Sequence, residues 1–154
     1  GLVPQRDEYL VSQYAALGDP HRLFQAIFDE LVGTNGMGYT PKIILKENLH
    51  RGWMWWKPEL TSEQDMYDIA AATQSLFEYA VNILSIWAKV ETGAKHVALA
   101  GGGALNRDAI DKIRPHWDTV YVPTNPGDPG SCIGAVLAKS KNKIVLDNQW
   151  YQIV

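Results

Sequence analysis

The chain has 154 residues, 46% of them hydrophobic and 20% charged, which suffices for about one domain with a buried core and is too apolar for intrinsic disorder. A net charge of -3 and an isoelectric point near 5.8 lack the basic field of a nucleic-acid binder, so a small molecule or a protein is the expected partner. The single cysteine, Cys132, excludes an internal disulfide and a multi-cysteine metal cluster; with no run near the ~20 apolar residues of a membrane span and no signal-peptide pattern, a cytoplasmic protein is expected.

In chain order, Tyr9, Val11, Tyr14, Ala15 and Leu17 predict a short helix stopped by Gly18. Asp19-Pro20 then caps and opens a second helix, with Leu23, Phe24, Ile27, Phe28 and Leu31 on one face. The stretch VGTNGMG ends it in turns, Lys42 to Lys46 reads as a strand, and RGWMWWKPE has no clear period. Trp53, Trp55 and Trp56 within it are of the type that anchors interfaces, and equally of the type that caps a core.

Ser62 and Asp65 form a capping-box pattern, after which Met66, Ile69, Ala70, Thr73, Leu76, Phe77, Ala80, Val81, Leu84 and Trp87 keep a helical period as far as Gly93. HVALAGG predicts a buried strand running into glycines, Asn106 to Ile113 a helix, DTVYVP a second strand, and GSCIGAVLAKS a helix packed through small residues. Residues 141–154 read as an extended tail in which Ile144, Val145 and Leu146 join a sheet edge. The class is α/β, and the chain is expected to be a single domain over 1–154.

Three consecutive glycines, Gly101, Gly102 and Gly103, follow the first of these strands, and Asn106 follows them. Such a segment lets backbone approach a ligand at the carboxyl end of a parallel strand, and the next helix offers N–H groups to an anion. It lacks the spacing of GxGxxG and the lysine of a P-loop, so a plain strand-to-helix turn fits it as well. A second glycine turn, NPGDPGS, comes after the second strand and sets Asp128 between Gly127 and Pro129-Gly130. Two such turns after neighbouring strands converge on one sheet edge, the usual ligand position in α/β proteins. Asp128 is there either a semi-buried carboxylate suited to a hard metal ion or the N-cap of the last helix.

LAGGGALN followed by VPTNPGDPGSCIGAVL resembles the AGGVALN and GDAG pattern of the nodulation-type O-carbamoyltransferase family. Upstream, DEYLVSQYAALG is similar to that family's GDEYKVMGLAPYG, and DIAAATQSLFE to its DIAASLQ segment, so the resemblance covers residues 7 to about 138. The related tRNA threonylcarbamoyl-adenosine synthases share the glycine-rich segment and place their metal-binding aspartate differently. The resemblance implies a ribonuclease-H-like lobe of the actin-like ATPase fold, a mixed sheet flanked by helices, here the second lobe of two around a nucleotide cleft. It implies further that Gly101, Gly102, Gly103 and Asn106 contact ATP or carbamoyl-adenylate, and that Asp128 holds a divalent metal (iron, magnesium or manganese) polarising the carbamoyl carbonyl. Glu8 is implied near the nucleotide, and Gly130 and Ser131 near its phosphate.

The departures from the family pattern are specific. The family's metal site also uses an HxxxH pair, and His21, His50, His96 and His116 are scattered without that spacing. Gly103 stands for a valine, Leu10 for a lysine, Ser12 and Gln13 for Met-Gly, and Pro129 for an alanine. The expectation is therefore an incomplete carbamoyltransferase, inactive alone, completed by a protein chain carrying the first lobe and the domain that makes carbamoyl-adenylate from carbamoyl phosphate and ATP. A phosphotransferase lobe of the same superfamily and a non-catalytic nucleotide- or partner-binding lobe are the alternatives.

Overall fold

Capping residues set the main helix boundaries in this computed structural model, which describes residues 3, 6–34, 43–45, 55–140 and 151–153. The chain divides into two compact units, Gly1–Ile83 and Leu84–Val154, and it is α/β and mostly helical.

In the first unit, helix α1 (Glu8–Ala15) ends three residues before Gly18, and helix α2 (Pro20–Leu31) opens as expected on Asp19, whose side chain accepts from the His21 N–H. Proline at the first helical position loses no hydrogen bond there. The predicted apolar face of α2 is the core: Leu23, Ile27 and Leu31 are buried together with Val32, Ala72 and Leu76, and Phe24, Phe28, Trp56, Leu60 and Ile69 pack around them. Full burial of each large apolar side chain contributes ~1.5–3 kcal/mol. Val32–Thr34, expected as a turn, is instead strand β1, paired antiparallel with β2 (Ile43–Leu45). Of the three tryptophans, Trp53 lies outside the described residues, Trp55 is 68% exposed, and Trp56 packs against the core.

Helix α3 (Glu63–Thr92) begins with the capping box: Ser62 Oγ accepts from the Asp65 N–H, and the Asp65 carboxylate accepts from the Ser62 N–H and hydroxyl. Its buried face differs from the apolar period. Met66 and Leu84 are exposed, while Asp65, Asp68, Ala70, Ala71, Ala72 and Gln74 are buried. The reason is an ion cluster: Arg22 donates to Asp68 and to Asp65, each at 2.6 Å. Asp68 also accepts from the Asp19 N–H and from Gln64, both at 2.8 Å. Buried carboxylates persist only when so satisfied.

These donors hold the acids below their usual range. The Ser62 hydroxyl and N–H, then Arg22, draw Asp65 down to about 2, and Arg22, the Asp19 N–H and Gln64 lower Asp68. Carboxyls depressed in the folded state contribute stability that is complete above the unfolded value of about 4 and disappears as pH falls through the folded one. The stability gap between the wild type and Asp65→Asn should thus be open at pH 7 and close between about pH 4 and pH 2. Denaturant unfolding of both proteins across that range checks this, and a gap independent of pH would remove the assignment.

In the second unit, α3 runs on to Thr92 and stops at Gly93, whose φ of +63° continues no helix. Strands β3 (His96–Ala98) and β4 (Thr119–Pro123) pair in parallel, and β5 (Tyr151–Ile153) joins β4 antiparallel, giving the order β3-β4-β5. The edge segment is thus Tyr151–Ile153, and Ile144, Val145 and Leu146 fall outside the described residues. Helix α4 (Arg107–Ile113) buries Ala109, Ile110 and Ile113, alongside Trp117, Val120 and Val122. Trp117 Nε1 donates to Ser85 Oγ at 2.6 Å, and Lys89 donates to the His116 carbonyl with its ammonium 5.5 Å from the Trp117 ring centre.

Two expectations are corrected here. The HVA strand is not a buried run, because His96 and Ala98 are exposed at the sheet edge and Val97 is half-buried. Helix α5 (Asp128–Ser140) has no buried residue, and of its two glycines only Gly130, in the first turn, is held in close contact, while nothing described lies within 4 Å of a Cβ built on Gly134. No helix among the described residues is long and apolar enough to cross a membrane.

Candidate functional site

Both glycine turns lie at the carboxyl ends of the parallel strands, and they are joined. After β3 the chain passes through Gly101 into a 3-10 turn, Gly102–Leu105, and after β4 it passes through Asn125, Pro126 and Gly127 into α5. The Gly101 N–H donates to the Pro126 carbonyl at 2.6 Å. A Cβ built on Gly127 would lie 3.6 Å from the Gly102 Cα. Two segments separated in sequence therefore form one backbone ledge, as expected from their positions after adjacent strands.

The glycines have different physical reasons. Gly101 has a φ of +96°, a conformation that side chains rarely adopt. Gly130 is required by contact, since a Cβ there would stand 2.1 Å from the Asn125 carbonyl oxygen. Gly102 has neither reason: among the described residues nothing lies within 4 Å of a Cβ built on it, and its φ is not left-handed. Its missing side chain leaves an open space beside exposed backbone, a cradle that a ligand can enter. Gly103 is exposed within the 3-10 turn, and its carbonyl accepts from the Asn106 N–H at 3.1 Å.

Asn106 is half-buried and caps α4, its Oδ1 accepting from the Ala109 N–H at 3.1 Å. That oxygen caps the helix that follows the glycine turn. Asp128 is exposed and is the first residue of α5, so of its two sequence readings the semi-buried carboxylate is not what the structure shows. Its charge at the helix start is favourable to the helix and opposes a phosphate placed directly there. Glu8 is exposed at the start of α1, in the other unit.

For a metal, one exposed carboxylate is too few, since hard divalent ions take about six oxygen ligands. Among the described residues no three His, Cys, Asp or Glu side chains come together to hold an ion. The described residues do not fit a metal centre by themselves. His21 and His96 are exposed, His116 is half-buried, and His50 lies outside the described residues.

Beside the ledge is a cavity of about 350 Å³ between β4 and α5. Gly130 and Ser131 border it, as do Asn125, Pro126 and Gly127 of the second turn. Its remaining walls are Ala100, Tyr121 and Pro123 on the sheet side and Ile133, Gly134 and Leu137 on the helix side. Sequence reading did not single out Tyr121, Asn125 or Gly134, although a glycine inside the helical run SCIGAVLAKS is a signal that asks for a reason.

A family model described as Carbamoyltransferase N-terminus matches residues 1–137. No curated protein and no solved structure matches the chain.

Proposed function

Since the chain belongs to the Carbamoyltransferase N-terminus family, we propose that its joined glycine turns bind the adenine nucleotide of an O-carbamoyltransferase of the nodulation type. In this reading the second unit is part of an actin-like, ribonuclease-H-like ATPase lobe, and the bound species is carbamoyl-adenylate, made from carbamoyl phosphate and ATP by a further domain or partner chain. Transfer then forms a bond from the acceptor hydroxyl oxygen to the carbamoyl carbon. The bond from that carbon to the adenylate phosphate oxygen breaks, AMP leaves with the electron pair, and the hydroxyl proton passes to solvent. The backbone of Gly101–Gly103 holds the phosphate side and Gly130 and Ser131 border the donor, while a nucleotide role for Glu8 rests on the family resemblance alone. Asp128 is assigned one carboxylate for a divalent metal whose other ligands come from outside the described residues.

Gly102 carries this reading, because neither dihedral angle nor internal packing accounts for a glycine there. Gly102→Leu should leave the unfolding midpoint near that of the wild type, as substitutions in open space do, and weaken ATP binding by about tenfold or more. Calorimetric titration with ATP and magnesium measures it. Unchanged affinity would show that the ledge is only a turn.

A further inference from the structure

Gly134 sits at the middle of α5, where glycine costs helix stability relative to alanine. Its φ is not left-handed, and nothing lies within 4 Å of a Cβ built on it. Neither the backbone nor the packing of the described residues explains it. It does border the cavity against β4, which an added side chain would narrow.

We propose that this cavity seats the acceptor, and that the acceptor is a neutral cyclic alcohol with apolar ring faces; the assignment rests on the carbamoyl-transfer reading above. Among the described residues, no Asp, Glu, Lys, Arg or His lines the cavity. A charged amino sugar would lose its hydration there without an ionic partner, and a free sugar has more hydroxyls than Tyr121, Asn125 and Ser131 can satisfy. An apolar ring against Pro123, Ile133 and Leu137 meets neither penalty. The volume equals about a dozen waters at ~30 Å³ each, which is room for one or two rings. Asn125 and Ser131 flank Asp128 in sequence at the second glycine turn, so a ring against Ile133 and Leu137 with its hydroxyl at Asn125 or Ser131 faces the donor in this reading.

The test is titration of the whole chain with 1-naphthol, read from the backbone amide resonances of Tyr121, Gly130 and Gly134, with glucose and glucosamine as competitors. Saturable binding of 1-naphthol, about tenfold or more tighter than either sugar, is expected. Gly134→Leu should weaken 1-naphthol by about tenfold or more, with helix content and unfolding midpoint at least those of the wild type and ATP affinity unchanged. Failure to saturate, equal binding of a sugar, or indifference to Gly134→Leu would overturn the proposal. Saturation by 1-naphthol in a wild-type chain that does not bind ATP would overturn the acceptor role and the transfer reading together, while leaving a ring-binding cavity.

Discussion

Gly18→Ala is expected to cost about 3 kcal/mol or more of unfolding free energy, far beyond what an exposed turn position would lose. A Cβ at residue 18 would stand 2.1 Å from the Tyr67 carbonyl oxygen, 2.3 Å from its carbonyl carbon and 2.7 Å from the Asp68 nitrogen, all backbone atoms in the first turns of α3. Relief requires the turn between α1 and α2 to lift away, and it is tied down on the next residue. The Asp19 N–H donates to Asp68 while the Asp19 side chain caps α2, and Tyr14 packs edge-on to Tyr67 with ring centres 5.4 Å apart. Lifting the turn therefore also removes a donor from a buried carboxylate. Urea unfolding measures the loss, and Gly93→Ala is the comparison. Gly93 needs its φ of +63° but has nothing within 4 Å of a built Cβ, so its replacement should cost only about 1 kcal/mol. Equal losses at the two positions would mean that α1 and α3 do not meet closely at Gly18.

The same corner explains what was legible in the sequence. Caps are local: Asp19-Pro20, Ser62 with Asp65, and the stop at Gly93 involve residues within a few positions of one another, and all three stand as expected. The Arg22 cluster was not legible, because Arg22 and Asp68 are 46 positions apart and acids in a first helical turn ordinarily face water. Once Arg22 neutralises Asp65 and Asp68, the polar side of α3 can turn inward, and Met66 on the apolar period is left outside. The segments DEYLVSQYAALG and DIAAATQSLFE, which carried part of the family resemblance, meet where Gly18 and Asp19 touch Tyr67 and Asp68. Their likeness to the family therefore includes a demand of packing as well as any demand of chemistry.

At the candidate site the position of the glycines was legible and their reasons were not. Strand-turn-helix order placed both turns on one edge, but only coordinates separate Gly101, needed for its φ, from Gly130, needed for contact, and from Gly102, needed for neither. Burial was misjudged for a related reason. HVALAGG and GSCIGAVLAKS are apolar enough to be core, yet α5 buries no residue and the space beside it is a cavity. Composition reports that a face avoids water and says nothing about what covers it.

That distinction between glycines makes Gly130→Ala the most informative change in the second unit. The added Cβ would stand 2.1 Å from the Asn125 carbonyl oxygen, and the Gly130 N–H already donates to the Gly127 carbonyl at 3.0 Å, so the turn must shift as a whole. Shifting it moves Pro126, whose carbonyl holds Gly101, and the ledge separates. The expected result is a loss of about 3 kcal/mol together with loss of ATP binding, read by thermal unfolding and calorimetry on the same sample. Gly102→Leu should lose binding with stability kept, and Gly134→Leu should keep both while closing the cavity. Three glycines within one unit are then expected to give three separable phenotypes, because one is required by contact and, in the proposed reading, one is open for the nucleotide and one for the acceptor. A Gly130→Ala protein that binds ATP like the wild type would show that the two turns act independently, and nucleotide binding would then rest on Gly101–Gly103 alone.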